Sequence, residues 1–339
     1  MKHTIPISIL ELAVITQDSD ARATLEKTKE VAQLADRLGY KRFWLAEHHN
    51  MAHVASSATV VLIGYIASQT QNIRVGSGGI MLPNHSPLIV AEQFGTLETL
   101  YLKRIDLGLG RAPGTDAMTA QAIRQDFYEQ SQQFPQNVTA LQNFFSVENA
   151  AANVRAFPAE GTKVPIWILG SSMDSAALAA AKGLPYAFAG HFAPRQMQQA
   201  FEFYRDNFQA SEFLEHPKTM ACVNAIAADT DHEAEILSTS LYQMFRNLVQ
   251  NNRKPLQPPV DSLSHLLNEM SEEARFHVNQ MTACSFVGST QKLARELKEF
   301  IRYSRVDELM INSPIYNQQD KLKSLRLLKD VVDGINDSH

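Results

Sequence analysis

The stretch Phe43-Trp44-Leu45-Ala46-Glu47-His48-His49-Asn50 decides how the chain is read. Four apolar residues run straight into a carboxylate and two adjacent histidines. A run this short is too brief for a helix and reads as a buried strand. Titratable groups are costly to bury, and loops at strand ends are where sites are built. Glu47, His48 and His49 therefore mark a candidate site. The same pattern, a buried strand followed by polar or glycine-rich chemistry, recurs along the chain.

Short apolar runs occur at 7–10, 42–46, 73–77, 105–109, 165–169, 186–189, 220–227 and 308–311. Helical patterns separate most of them. Leu25, Val31, Leu34, Ala35 and Leu38 recur at helical spacing over 20–38, and Gly39 stops that helix. Ser86-Pro87 reads as an N-cap followed by proline at the first helical position, opening a helix over 86–100. Further helices are predicted at 174–182, 194–208, 231–249, 290–303 and 320–332. Strands alternating with helices imply a parallel sheet, and eight such units fit an α/β fold of the (β/α)8 TIM-barrel type. The whole chain, 1–339, reads as one such unit. Two stretches break the rhythm, 112–162 after strand four and 251–287 after strand seven. Both read as insertions in βα loops, on the face where these barrels keep their sites. An open doubly wound sheet would need a nucleotide fingerprint. Gly108-Leu109-Gly110-Arg111-Ala112-Pro113-Gly114 lacks its third glycine and does not open a helix.

Composition narrows the function classes. The chain has 339 residues, 45% hydrophobic and 20% charged, with a net charge of -5. That is enough for a large core. There is no basic face for nucleic acid. No stretch approaches the roughly 20 apolar residues of a membrane span, and Met1-Lys2-His3-Thr4-Ile5-Pro6 has no apolar signal core. A cytoplasmic location is expected. Cys222 and Cys284 are too few for a disulfide framework, and no spacing suggests a metal site. Cys222, inside an apolar run, reads as a small buried residue.

Each strand end carries its own chemistry. Gly76-Ser77-Gly78-Gly79-Ile80-Met81-Leu82-Pro83-Asn84-His85 follows strand three; its glycines suit either a close approach to a ligand or a bulge at the rim. Arg111, after strand four, suits a phosphate or carboxylate fork, or a structural ion pair. Leu169-Gly170-Ser171-Ser172-Met173-Asp174 opens a helix after strand five, as a cap or as an anion site. His191, after strand six, lines a pocket or is a hydrogen-bonded structural histidine. No Ser-His-Asp order and no carboxylate pair stands out. A rim of histidine, glycine, serine and one arginine suits a large planar phosphorylated cofactor with a histidine at its reactive edge.

These segments together resemble the bacterial-luciferase-like flavin-dependent monooxygenases, in the family's order and over about residues 5–315. The segments that carry the resemblance are Glu47-His48-His49, Ser77 to Pro83, Arg104-Ile105-Asp106-Leu107-Gly108-Leu109-Gly110-Arg111 and the Leu169-Gly170-Ser171-Ser172 turn. The resemblance implies a barrel, commonly dimeric, that binds FMN at its C-terminal rim. It implies His48 as catalytic base beside Glu47, and flavin contacts at Ser77, Gly78 and Gly79 through a cis Gly78–Gly79 peptide. It further implies a phosphate site at Gly110, Arg111, Gly170, Ser171 and Ser172. His49, His85 and His191 would face the substrate. The chain departs from luciferase at Gly110, Gly170, Asp174 and Leu102-Lys103, so light emission and aldehyde specificity do not carry over. The implied activity is a two-component monooxygenase. It would take reduced FMN from a separate reductase and use O2 to oxygenate an aldehyde, ketone or other small molecule. An F420-dependent reductase and a non-catalytic flavin-binding protein are the alternatives; retention of Glu47-His48-His49 argues against the latter. The segment 57–68 is apolar nearly all round, which an outer barrel helix facing water should not be. It predicts a homodimer with the 88–100 helix beside it.

Overall fold

The structure, a computed structural model, describes residues 4–337; Met1-Lys2-His3 of the N-terminal segment lie outside the described residues. Its strands are β1 (Ile7–Glu11), β2 (Arg42–Leu45), β3 (Arg74–Ser77), β4 (Ile80–Met81), β5 (Ile105–Gly110), β6 (Ile166–Gly170), β7 (Tyr186–Phe188), β8 (Thr219–Ala228), β9 (Ser285–Ser289) and β10 (Glu308–Asn312). All pair in parallel. The order β1-β2-β3-β5-β6-β7-β8-β10 closes when β10 pairs back to β1, Ile7 opposite Leu309. This is the eight-stranded parallel barrel that the apolar runs predict. The short β4 continues the course of β3 and pairs with β5. β9 was not anticipated. It lies in the stretch read as insertion and pairs with the far half of β8, Asn224 to Ala228.

Helices α1 (Ala21–Leu38), α2 (Thr59–Ser68) and α3 (Pro87–Leu100) follow β1, β2 and β4. Between β5 and β6 stand α4 (Ala117–Ile123), α5 (Phe127–Gln132) and α6 (Phe134–Phe145). Then come α7 (Met173–Lys182), α8 (Met197–Asp206), α9 (Asp231–Val249), α10 (Leu263–Asn268), α11 (Glu272–Met281), α12 (Thr290–Ser304) and α13 (Gln318–Asp337). Gly39 ends α1 with a left-handed φ of 76°, which a glycine adopts without a Cβ clash. Ser86 stands at the N-cap of α3 as expected, but its hydroxyl makes no capping bond. Among the described residues no helix is long and apolar enough to cross a membrane.

Alternation along the strands builds two cores. Ile7, Ile9, Phe43, Leu45, Ile105, Leu107, Leu109, Ile166, Ile168, Leu309 and Ile311 point outward and pack under the helices. Leu10, Trp44, Ala46, Trp167, Ala187, Met220, Cys222 and Met310 point inward and fill the barrel. Trp44 and Trp167 meet edge to face, their ring centroids 5.5 Å apart. Cys222 is thus a small buried residue, and burial pushes its thiol pKa well up.

Beneath the tryptophans the inward positions turn ionic. Asp106 on β5 accepts hydrogen bonds from Arg42 Nη1 on β2 (2.7 Å), Arg74 Nη2 on β3 (2.7 Å) and Trp44 Nε1 (3.2 Å). Arg42 Nε also reaches Glu308 on β10 (2.9 Å), which accepts from Ser8 Oγ on β1 as well. The Arg42 guanidinium lies 5.0 Å from the Trp167 ring centroid. Burial works to raise the pKa of Asp106, but Arg42 and Arg74 hold the carboxyl below the usual range. Removing one partner of such a pair strands the other in a medium that solvates it poorly. Asp106→Asn should therefore lower unfolding stability in urea by about 3–5 kcal/mol. A loss under about 1 kcal/mol would show that the network is not holding the strands together.

Candidate active site at the barrel mouth

Among the described residues, nine buried side-chain polar atoms lack a hydrogen-bond partner. Six of them lie in the segments that lead from the C-terminal ends of barrel strands into the next helix. They belong to Ser19 after β1, His48 and His53 after β2, Asn84 after β4, His191 after β7 and Ser313 after β10. Buried polar groups are normally satisfied, so a cluster of exceptions at one end of the barrel marks where a ligand would complete them.

Glu47 organises this rim. Its side chain is buried, and Oε1 lies 2.9 Å from both His49 Nε2 and His85 Nε2 and accepts from Asn84 Nδ2 at 3.1 Å. Oε2 accepts from the backbone N–H of Met81 at 3.1 Å. Asn84 passes the connection on, donating to the carbonyl of Pro113 at 3.0 Å. One carboxylate thus ties together the loops after β2, β4 and β5. Burial alone would raise its pKa, but the bonds from His49 and His85 outweigh that, with help from Asn84, and bring it down to about 2. Gly114 completes the contact. With φ at 66°, a Cβ there would stand 2.6 Å from the Glu47 carbonyl oxygen, so only glycine lets the β5 loop lie on the end of β2.

His48 is different from its neighbours. Its backbone N–H donates to the Ser56 carbonyl, but Nδ1 of its ring is buried and has no partner. Burial pushes its pKa down, only partly offset by the Gly114 backbone and the Glu47 charge, which favours the uncharged ring. His49 and His85 spend their Nε2 atoms on Glu47 and stay partly buried beside it. His191 is buried with Nδ1 unpartnered, and burial, reinforced by His48, lowers its pKa to about 3.

The glycine and serine positions divide. The Gly78–Gly79 peptide is cis. A Cβ at Gly78 would stand 2.6 Å from Leu10 Cδ1, and one at Gly79 would stand 2.8 Å from the Gly108 carbonyl. The backbone here is pressed onto the barrel interior. The Ser77 hydroxyl points away from the mouth and fastens β3 to β5, donating to the Gly108 carbonyl (2.8 Å) and accepting from the Gly108 N–H (2.9 Å). A Cβ on Gly110 would meet Met81 Sδ at 2.9 Å. Across the rim, Ser172 stands at the N-cap of α7 but its hydroxyl makes no capping bond, leaving the first-turn N–H groups without side-chain acceptors. A Cβ on Gly170 would lie 2.1 Å from Ser175 Oγ, whose hydroxyl donates to the Ser172 carbonyl at 2.7 Å. Arg111 reaches this helix start, its Nη2 3.5 Å from Asp174 Oδ2, in an exposed pair. The structure therefore brings Arg111, Gly170, Ser171 and Ser172 to one place.

Two loops meet beside the end of β2. Arg253, beyond α9, donates to the Asn50 carbonyl (2.9 Å) and to Asp116 Oδ2 (3.1 Å) at the start of α4. Leu256 bridges in parallel to Thr16 after β1. Asn84, Gly114, Asn224, Asn312 and Ser313 were missed from sequence. The signal for Asn224 was present, a lone polar residue at an inward position of an apolar strand.

The Glu47 arrangement makes stability pH-dependent. The folded pKa lies below an ordinary 4.5, so the stabilisation is present above about pH 4.5 and is lost as pH falls through about 2. The urea stability gap between wild type and Glu47→Gln should be constant above pH 5 and shrink by about 3 kcal/mol between pH 4.5 and 2. A gap independent of pH across that window would mean that the histidines and Asn84 do not favour the ionised form.

Comparison with known proteins shows the family. The family model described as luciferase-like monooxygenase matches residues 5–308. A luciferase-like monooxygenase of Escherichia coli (strain K12) is 46% identical over 332 residues, 98% of each chain. The crystal structure of apo-MsnO8 superposes with a TM-score of 0.86 at 32% identity, covering 97% of this chain and 98% of that one. At 17% identity, the oxygenating constituent of 3,6-diketocamphane monooxygenase from the CAM plasmid of Pseudomonas putida, a type II Baeyer–Villiger monooxygenase in complex with FMN, shares the fold. Its TM-score is 0.71, with 98% of each chain covered. The chain belongs to the luciferase-like monooxygenase family of oxidoreductases.

Proposed function

We propose that the protein is the cytoplasmic oxygenase component of a two-component system, binding reduced FMN from a separate reductase and using O2 to oxygenate a small organic substrate such as an aldehyde or ketone. The single observation that carries this reading is the unpartnered Nδ1 of His48 at the mouth, while His49 and His85 are both occupied by Glu47. A flavin-storage protein has no need of an open imidazole nitrogen there. Bound reduced FMN would supply the electrons that activate O2. The residues fit the group. The first-turn N–H groups of α7, with Ser171, Ser172 and Arg111, offer a phosphate site. The backbone at Gly78 and Gly79, which carries no side chain of its own and is backed by Leu10, Trp44 and Leu169, would lie under the flavin ring. His48 Nδ1 would hold or move a proton beside the bound flavin, and Glu47 fixes the loop that carries it.

The deciding experiment titrates the purified protein with reduced FMN and with F420. Binding of F420 with no affinity for reduced FMN would replace this reading by the reductase. Arg111 is about half exposed, so water screens its charge, and Arg111→Ala should weaken FMN binding by about 1–2 kcal/mol. Riboflavin, which lacks the phosphate, should bind wild type and variant alike; equal losses for both ligands would remove Arg111 from the phosphate site.

His48→Ala should leave melting temperature and FMN affinity near wild type while changing the rate at which bound reduced flavin is reoxidised by air by a factor of about 10²–10⁴. A joint fall of stability and flavin binding, with reoxidation per bound flavin preserved, would make His48 structural.

The protein is further proposed to act as a homodimer through α2 and α3. Val61, Leu100 and Leu102 are 71%, 65% and 70% exposed on these helices and the turn after them. Light scattering at micromolar concentration should give twice 37.8 kDa, and a mass of one chain would exclude the dimer.

A further inference from the structure

The far side of the mouth from His48 has chemistry that flavin binding does not use. β7, β8 and β10 are neighbours in the barrel, and β2 lies opposite β7 around the ring. Asn312 at the end of β10 donates through Nδ2 to Asn224 Oδ1 on β8 at 2.9 Å. Asn224 Nδ2 in turn donates to the His191 carbonyl at 2.6 Å and to Ser285 Oγ at 3.1 Å. Two buried asparagines thus fasten the loop after β7 to the ends of β8 and β10 through its backbone. The His191 ring takes no part in these bonds. Its Nδ1 is buried and unpartnered, and so is the hydroxyl of Ser313, the residue after Asn312.

We propose that His191 Nδ1 and Ser313 Oγ form a hydrogen-bonding subsite that takes an uncharged oxygen of the molecule being oxygenated, a carbonyl above all. This rests on the reading of the mouth as the monooxygenase site and names the substrate class for it. Three observations carry it. Leaving two buried polar atoms without partners is costly, and a ligand oxygen that accepts from them would remove that cost. The two carboxylates nearest the mouth are already engaged, Glu47 by His49, His85 and Asn84, and Asp116 by Arg253. Burial and His48 also keep the imidazole uncharged throughout the working pH range. The surroundings are apolar. Phe192 stands edge-on to the His191 ring at 4.8 Å, and Ala187, Cys222 and Met310 line the neighbouring inward faces. A compact apolar body with one carbonyl matches this wall.

The test uses acetophenone, ethylbenzene and benzoate, which share a ring and differ in having a neutral oxygen, none, or a charge. Binding to the full chain is followed by calorimetry and by imidazole ¹⁵N resonances, with and without FMN. Acetophenone should bind roughly tenfold more tightly than ethylbenzene, the worth of two neutral hydrogen bonds, and should move the His191 resonance. Benzoate should bind no better than ethylbenzene. Ser313→Ala should reduce the tenfold preference, and His191→Phe with Ser313→Ala should bring it within twofold while FMN affinity stays unchanged. Equal binding of acetophenone and ethylbenzene, preference for benzoate, or a preference that survives the double substitution would each overturn the proposal. A protein that discriminates the ketone but binds no FMN would keep this subsite and reject the flavin reading, so the two fail separately.

Discussion

The barrel is closed around one buried guanidinium. Arg42 stands between Asp106 and Glu308, and through them it links β2 to β5 and β10, with Arg74 and Ser8 bringing in β3 and β1. Five of the eight barrel strands meet in this cluster. An ion pair inside a protein is weak as a source of net stability, because desolvation offsets attraction. It is strong as a constraint, because any other register would leave a charge alone in the interior. Hydrophobic packing can slide by a residue pair at modest cost, but Arg42 cannot slide away from both carboxylates. The cluster sits at the N-terminal end of the strands, away from the mouth, so the end without chemistry fixes the register and the other end is left free to carry polar atoms.

The layers above follow from that register. Trp44 anchors to Asp106 through its indole N–H and meets Trp167 edge to face. Leu10, Met220, Cys222 and Met310 pack in the same layer. This apolar plug separates the ionic floor from the rim, so the charge of Asp106 and the unpartnered imidazoles of His48 and His191 do not share a water-filled space. Glu47, next to His48 in sequence, plays at the rim the part that Arg42 plays at the floor: it determines the positions of three loops.

The strands were legible because a parallel barrel buries both faces of each strand, and continuous apolar runs are what such burial leaves in a sequence. β9 was not, since Ser285 to Ser289 is partly exposed and mixes polar with apolar residues. The ionic floor was also hidden: Arg42 and Asp106 lie 64 residues apart, and only closure brings them together. At the site, Glu47-His48-His49 was visible as a cluster, but the division of labour within it was not. Adjacent residues at a strand end point to different sides, and that alone sends His49 to Glu47 and leaves His48 open. Serine showed the same limit. Ser86 and Ser172 occupy cap positions without capping, and Ser77 spends its hydroxyl on strand pairing. For Ser86 and Ser172 residue type predicted the cap position but not the capping bond.

β8 has ten residues where its neighbours have three and five. Only Thr219 to Asn224 are needed to close the barrel; Ala225 to Ala228 run beyond its rim, and β9 is hydrogen-bonded to that overhang. The segment holding α10 and α11 is therefore cantilevered from a strand that is already clamped at its base. The overhang is itself packed: Ala225 to Ala228 are buried, and the Ala227 N–H donates to Ser324 Oγ on α13 at 2.8 Å. One continuous strand thus serves both the closed ring and the segment beyond its rim, so a displacement of that segment is carried directly into the barrel wall.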